Sequence, residues 1–284
     1  MNEYFVNLSK KIEEAIIFGI DAEKSVLESS IHYALSIKGK RLRPLIFLTL
    51  LDALNVSPEK YLDIAASIEY IHTYSLIHDD LPAMDDDDLR RGMPTVHKKF
   101  DEAVALLAGD TLLTMAVEKI SNSDIEYEMR IRVLRILTKS IGINGMAGGQ
   151  SLDLLFDGNK ETINEIHTKK TAELIKGVML CAGEIAGLDN DKLNLIGSAG
   201  IKIGVAFQMA DDLLDIEGNE DEVGKKLNKD GSNKSPNSVI YFGSAVIREK
   251  IESEYKKVIA LINNAGIDFP PFLNLLDRMV HRRK

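Results

Sequence analysis

The chain has 284 residues, 45% of them apolar, and a formal net charge of −9. That length accommodates one all-helical or barrel domain without forcing a division. The acid excess argues against a nucleic-acid partner, and no stretch holds the roughly 18 consecutive apolar residues that a membrane-spanning helix needs.

The opening residues, MNEYFVNLSKKIEEAI, mix acids and lysines among apolar positions, unlike a secretory signal, so a cytoplasmic protein is expected. From Ser57 to Ile77 the residues Leu62, Ile64, Ala65, Ile68, Ile71 and Leu76 recur at helical spacing without a proline. Similar patterns run from Glu102 to Ile120, Glu128 to Ile143, Thr162 to Ala186, Asp191 to Ile216 and Ser244 to Asn263. No stretch alternates as a strand does, and Pro44, Pro58, Pro94 and Pro270 fall where helices start or stop. An all-α fold is expected, with residues 1–284 as a single domain. The polar stretch from Glu217 to Asn237 is the one long loop candidate. The lone cysteine, Cys181, lies in GVMLCAGEIAG, where a buried and inert thiol is the ordinary outcome.

Two acidic clusters interrupt this apolar helical pattern, IHDDLPAMDDDDLRRG from Ile77 and FQMADDLLD from Phe207. Asp211 and Asp215 are four apart, so a helix turns them by only about 40° and sets both carboxylates on one face. Their flanks are apolar, and unpaired carboxylates there would be costly. Mg²⁺ fits between them, because it takes hard oxygen ligands and is commonly held by one or two carboxylates plus substrate phosphates. In the first cluster Pro82 lacks a backbone donor and disrupts the helix just after Asp80. A distortion there is expected to return Asp85 beside Asp79, leaving Asp86 to Asp88 behind the ligands or facing solvent. Taken alone, each cluster could equally be a solvated acidic face.

GKRLRP at Gly39, IHTYSLIHDDLPAMDDDDLRRGMPTVH, HTKKTAEL at His167 and FQMADDLLD followed by Gly224-Lys225 resemble, in order and over nearly the whole chain, the trans-prenyl diphosphate synthases. The resemblance is to their bacterial farnesyl and geranylgeranyl branch. It implies an isoprenoid-synthase bundle of ten or more helices around a central substrate cavity, usually a homodimer, with the two aspartate motifs facing across the cavity mouth. It also implies Mg²⁺, three ions per active site, and condensation of isopentenyl diphosphate with dimethylallyl or geranyl diphosphate. Asp79 and Asp85 would hold two ions, and Asp211, with Asp215, the third. Arg90, Lys170, Thr171, Gln208 and Lys225 would contact the allylic diphosphate, and Lys40, Arg43, His72 and Arg91 the isopentenyl diphosphate. Arginine suits phosphate because its planar fork donates two parallel hydrogen bonds.

Spacing does not separate Lys169 from Lys170; the Lys-Thr pair of the family selects Lys170. His72, two turns before Asp79 on one helix, shares its side, and Gln208 shares a face with Asp211. Tyr74 and Ser75 occupy the positions that limit product length in this family, and an aromatic residue there implies farnesyl diphosphate as the main product. After Lys225 the chain departs from the family pattern, so the parts of Lys229, Lys234 and the terminal HRRK stay open. A geranylgeranyl synthase, a terpene cyclase or an inactive regulatory subunit are the rival readings. The cations of the isopentenyl site argue against the cyclase, and the complete set of aspartates against the inactive subunit.

Overall fold

The computed structural model describes residues 3–217 and 235–281. The fold is all-α, and among the described residues the strands are the two-residue pair β1 (Leu89–Arg90) and β2 (Met93–Pro94). Two compact units divide the chain, one formed by Met1–Leu48 with Ser57–Arg130, the other by Thr49–Val56 with Ile131–Lys284.

In the first unit α1 (Glu3–Ile17), α2 (Val26–Ser36), the start of α3 (Leu42–Ala53), α4 (Leu62–Asp79), α5 (Val96–Lys99) and α6 (Glu102–Ser121) follow in order. The helix expected from Ser57 is preceded by a single 3₁₀ turn, Pro58–Tyr61, with the proline at its first position. Along α4 every residue from Ile64 to Ile71 is buried, so this helix has no polar face and is enclosed by its neighbours α1, α2 and α6. Tyr70 Oη donates to the Ile16 carbonyl at 2.8 Å and ties α4 to α1. Arg41, 4% exposed, joins the chain entering α3 to two other helices. Its guanidinium donates to Glu13 (2.8 Å), to Glu69 (2.8 Å), and to the carbonyls of Leu35 and Ile37.

The second unit holds most of α7 (Tyr127–Ile141), then α8 (Met146–Leu154), α9 (Ile163–Ile166), α10 (Glu173–Ile185), α11 (Asn190–Glu217), α12 (Ser238–Phe242), α13 (Ser244–Asn264) and α14 (Pro270–Val280). α11 is long and apolar enough to cross a membrane, but over half of its most apolar stretch is buried inside this unit, where it packs on α10 and α13. The continuous helix expected from Thr162 to Ala186 carries a π-helical turn, His167–Ala172, between α9 and α10. Such wide turns often occur at functional sites. Its backbone lies against α8 so closely that a Cβ on Gly149 would come within 2.1 Å of the Lys170 amide nitrogen. Cys181 is fully buried and burial pushes its thiol pKa up, consistent with an inert side chain.

The Arg41 arrangement sets a stability test. Glu69 is 1% exposed, and removing one partner of a buried ion pair typically costs about 3–5 kcal/mol. Arg41→Met is therefore expected to lower the unfolding free energy by about 3 kcal/mol in denaturant titration. Arg41→Met combined with Glu69→Met should recover much of that loss, because no buried carboxylate is then left behind.

Candidate active site

The first aspartate motif is built on the C-terminal end of α4. Asp80 caps the helix, and Pro82 cannot continue it. The backbone instead curls back: Met84 N donates to Leu81 O (2.9 Å), Asp85 N to Asp79 O (2.8 Å) and Asp87 N to Asp80 O (3.2 Å). Asp85 thus lies beside Asp79, the juxtaposition expected from Pro82. Asp79 is half-buried, while Asp85, Asp86 and Asp88 are exposed.

The neighbouring Asp80 behaves differently. It is 3% exposed and accepts two hydrogen bonds from Arg90, one of them at 3.0 Å from Nε. Arg90 also stands 3.6 Å from Asp87. Burial pushes the Asp80 carboxyl pKa up, against the pull of Arg90. Sequence spacing did not single out Asp80, because adjacent helical residues differ by about 100° and the pattern does not say which of two aspartates turns inward.

Arg90 and Arg91 are carried by the β1–β2 hairpin, in which Arg91 and Gly92 both have positive φ, at 54° and 77°. Two positive-φ residues at the tip match a turn whose twist suits paired strands. Tyr33 donates from α2 to the Pro94 carbonyl at 2.7 Å and pins the hairpin. The Arg91 guanidinium lies over Gly39, where a Cβ would approach its Nη1 to 2.1 Å, and donates to the Lys38 carbonyl at 3.4 Å. A side chain at Gly39, in GKRLRP, would therefore displace the guanidinium of an arginine from a different motif.

His72 lies on α4 within this cationic group. Its pKa is driven well below the ordinary value by burial and then by Arg43, Arg91, Arg90 and Arg41, so the imidazole is neutral. Burial and the nearby Arg41 and Arg90 also lower the pKa of Arg91, against Glu69 and Glu13. Cations that depress the pKa values of His72 and Arg91 form a site that gains from receiving an anion. Lys40 is exposed at the turn before α3, and Arg43 is half-buried one turn on. Tyr74 is half-buried with its ring edge-on to His78, centroids 5.9 Å apart. Burial and then the Asp79 charge push the Tyr74 pKa up to about 12. The Ser75 hydroxyl donates within its own helix to the His72 carbonyl at 2.9 Å.

In the second unit Asp211 and Asp215 are half-buried on α11. Asp212 between them is 7% exposed and joins three elements. Its Oδ2 accepts from Ser238 N (2.8 Å) and Ser238 Oγ (2.6 Å) and lies 3.3 Å from His167 Nε2. Its Oδ1 accepts from Gln208 Nε2 at 3.3 Å, and its carbonyl accepts from Asn237 Nδ2 at 3.2 Å. Burial alone would raise the Asp212 pKa, but His167 and Ser238 hold it below the ordinary value. Thr171 Oγ1 donates to Gln208 Oε1 at 3.0 Å, so two of the expected diphosphate contacts touch directly. Lys170 pairs with Asp153 on α8, whereas Lys169 pairs with Glu165 at 2.6 Å on its own helical run. Next to that turn, Gln150 is 8% exposed with neither polar atom of its side-chain amide hydrogen-bonded. Neither Asp153 nor Gln150 was singled out by the sequence pattern; the Lys170 partner of Asp153 comes from a turn that no periodicity revealed. Lys225, Lys229 and Lys234 lie outside the described residues, as do the last three residues of HRRK.

Comparison with known proteins gives a consistent result. The polyprenyl synthetase family model matches residues 24–265. A farnesyl diphosphate synthase of Micrococcus luteus is 40% identical over 262 residues, covering 90% of this chain and 89% of that protein. One from Geobacillus stearothermophilus is 38% identical, covering 94% and 93%. Among solved structures, a Helicobacter pylori geranyltransferase complexed with magnesium and isoprenyl diphosphate superposes with a TM-score of 0.84 at 31% identity, covering 98% of this chain and 96% of that one.

The two neighbouring acids of α11 are expected to separate in a stability assay. Asp212→Ala leaves the buried donors of Ser238 without an acceptor, at a typical cost of about 1–3 kcal/mol for each unsatisfied group. Asp211→Ala relieves like-charge repulsion and should keep a near-parental Tm. A thermal melt that falls for both variants, or for neither, would contradict the distinction between them.

Proposed function

This chain belongs to the polyprenyl synthetase family, and on that premise we propose that it is a Mg²⁺-dependent prenyltransferase that joins isopentenyl diphosphate head-to-tail to dimethylallyl and geranyl diphosphate, giving mainly farnesyl diphosphate. The observation that carries this reading is the group of guanidiniums around a neutral His72. It supplies a metal-free place for a second diphosphate, which a terpene cyclase does not need. A homodimer in the cytoplasm, without membrane insertion, belongs to the same proposal.

The donor sets suit the metal. Asp79 with Asp85, and Asp211 with Asp215, offer the hard carboxylate oxygens that Mg²⁺ prefers, and the Asp85 amide bond to the Asp79 carbonyl holds the first pair together. We assign these four residues to three ions. Bound there, Mg²⁺ supplies Lewis-acid neutralisation of charge on the leaving diphosphate. Asp80 and Arg90 would hold the motif in shape. Arg90, Lys170, Thr171 and Gln208, with Lys225, would contact the allylic diphosphate.

In the reaction the allylic carbon–oxygen bond breaks with its electron pair leaving on the diphosphate. The double bond of isopentenyl diphosphate then attacks the allylic carbon, and the proton released next passes to the departed diphosphate. Lys40, Arg43 and Arg91 would fix the acceptor's diphosphate, with His72 donating a hydrogen bond rather than a charge. No protein nucleophile takes part, so the chain's work is orientation and electrostatic stabilisation.

Incubation with isopentenyl diphosphate and each allylic diphosphate, followed by product sizing, tests the whole reading. Geranylgeranyl diphosphate as the main product would favour the rival synthase, and no product at all would sink the proposal. Arg91→Ala removes a charge-assisted bidentate contact worth about 1.5–3 kcal/mol. The KM for isopentenyl diphosphate should therefore rise about tenfold or more, with the allylic KM little changed. Equal changes for both substrates would show that Arg91 is wrongly assigned.

Tyr74 is expected to form the floor that stops the growing chain. Its Cα is about 7.5 Å along α4 from that of Asp79, and overlap with a longer tail costs about 1–3 kcal/mol. Tyr74→Ala should extend farnesyl diphosphate to geranylgeranyl diphosphate or longer. An unchanged farnesyl limit would remove the tyrosine from chain-length control.

A further inference from the structure

Within the second unit, a cavity of about 390 Å³ lies beside the Asp212 junction, bordered by α9 and its π-helical turn, α11, α12 and α13. Small-molecule sites commonly occupy about 300–1,000 Å³. None of the residues assigned above to substrate or metal lines it. Ile163, Val205, Met209 and Ile247 give it an apolar wall, and all four are buried.

Its charged groups are mostly cationic. Lys160, Lys202 and Lys250 face one acid, Glu254, a local reversal of sign in a chain of net charge −9. The Lys250 ammonium stands 4.3 Å from the centre of the Phe242 ring, which also lines the cavity. Lys202 pairs with Glu254 at 3.1 Å, but Glu254 also holds Lys257 at 2.6 Å. Lys202 can therefore turn to an incoming anion while Glu254 keeps a partner.

We propose that this cavity is a second ligand site, for an amphiphilic anion whose phosphate, diphosphate or carboxylate head meets the lysines while its hydrocarbon tail lies on the apolar wall. The site is separate from the proposed catalytic groups yet adjoins them. His167 and Ser238 line it, are 5% and 3% exposed, and are the two residues that hold Asp212 Oδ2. Asp212 is bonded to Gln208, and Gln208 to Thr171. A ligand that shifts His167 or Ser238 therefore acts on the allylic diphosphate contacts. This coupling rests on the proposed function, whereas the binding itself does not.

Calorimetric titration of the full chain with farnesyl monophosphate and, separately, with oleate tests the proposal. Lys202→Glu with Lys250→Glu reverses the charge, and Val205→Trp fills the cavity. Arg90→Ala provides the control for binding at the proposed allylic site. At least one probe should show a binding class that either cavity variant weakens tenfold or more and that Arg90→Ala leaves in place. Loss of the farnesyl monophosphate class alone identifies a prenyl phosphate, and loss of the oleate class alone a lipid carboxylate. The charge-reversal variant keeps the test valid if Val205→Trp does not fold. Binding of both probes that is unchanged in the charge-reversal variant, or that Arg90→Ala alone abolishes, would overturn the site. Absence of prenyltransfer activity would defeat the proposed function but leave this binding result standing.

Discussion

Arg41 sets the electrostatics of the first unit. Its guanidinium is enclosed among Glu13, Glu69 and two backbone carbonyls, so its donors face inward, and it provides the counter-charge for the buried Glu69 carboxylate. Arg43 and Arg91 lie close enough to Glu69 to lower its pKa, but Arg41 is the stronger influence, and burial outweighs all three. Arg90 is answered separately by Asp80. The field of these guanidiniums falls on His72 and on Arg91. A protein can hold such crowding only where another part of the fold fixes the backbone, and the Arg41 junction fixes the chain just before Arg43.

Each aspartate pair divides its work in the same way. Asp79 and Asp211 are half-buried, while Asp80 and Asp212, next in sequence, are 3% and 7% exposed. Helical geometry turns consecutive side chains apart by about 100°, so a pair of aspartates cannot both line one face. The inward member must be hydrogen-bonded or its burial would be too costly. Arg90 answers Asp80, and His167 with Ser238 answers Asp212. These internal bonds orient the loop and helix from which the outward aspartates project. A motif of adjacent acids thereby contains one proposed ligand and the braced neighbour that positions it.

How much of the fold and site the sequence made legible depends on the range of each signal. Helices such as Glu102–Ser121 and Ser244–Asn264 announce themselves through apolar spacing within a single element. The return of Asp85 to Asp79 was also readable, because Pro82 acts on its immediate neighbours. The π-helical turn was not, since one extra residue in a turn leaves the apolar pattern nearly intact while rotating the residues beyond it. Within that turn Lys169 and Lys170 meet different partners, Glu165 and Asp153, a difference that spacing alone did not reveal. Arg41 offers the same lesson at longer range. Nothing in GKRLRP says that the middle cation turns inward, because its partners, Glu13 and Glu69, are each 28 residues away.

The backbone shows where local preference was overridden. Arg41, Asp86 and Arg91 have φ of 45°, 49° and 54°, a region that costs a side-chain-bearing residue about 1 kcal/mol or more. Asn55 shares it, but asparagine, and to a similar degree aspartate, tolerates it well. Arg41, Asp86 and Arg91 fall in three of the segments that carry the proposed ligand groups, and each is held by specific contacts. Arg41 has its carboxylates and carbonyls, Asp86 donates its amide to Leu81 O at 3.2 Å, and Arg91 sits at the hairpin tip with its side chain laid over Gly39. A glycine at position 91 would relax the turn, but no guanidinium would then reach Lys38. The strain at that residue is thus the cost of placing a cation on a tight turn, and it is tolerated because Gly39 leaves room for the side chain.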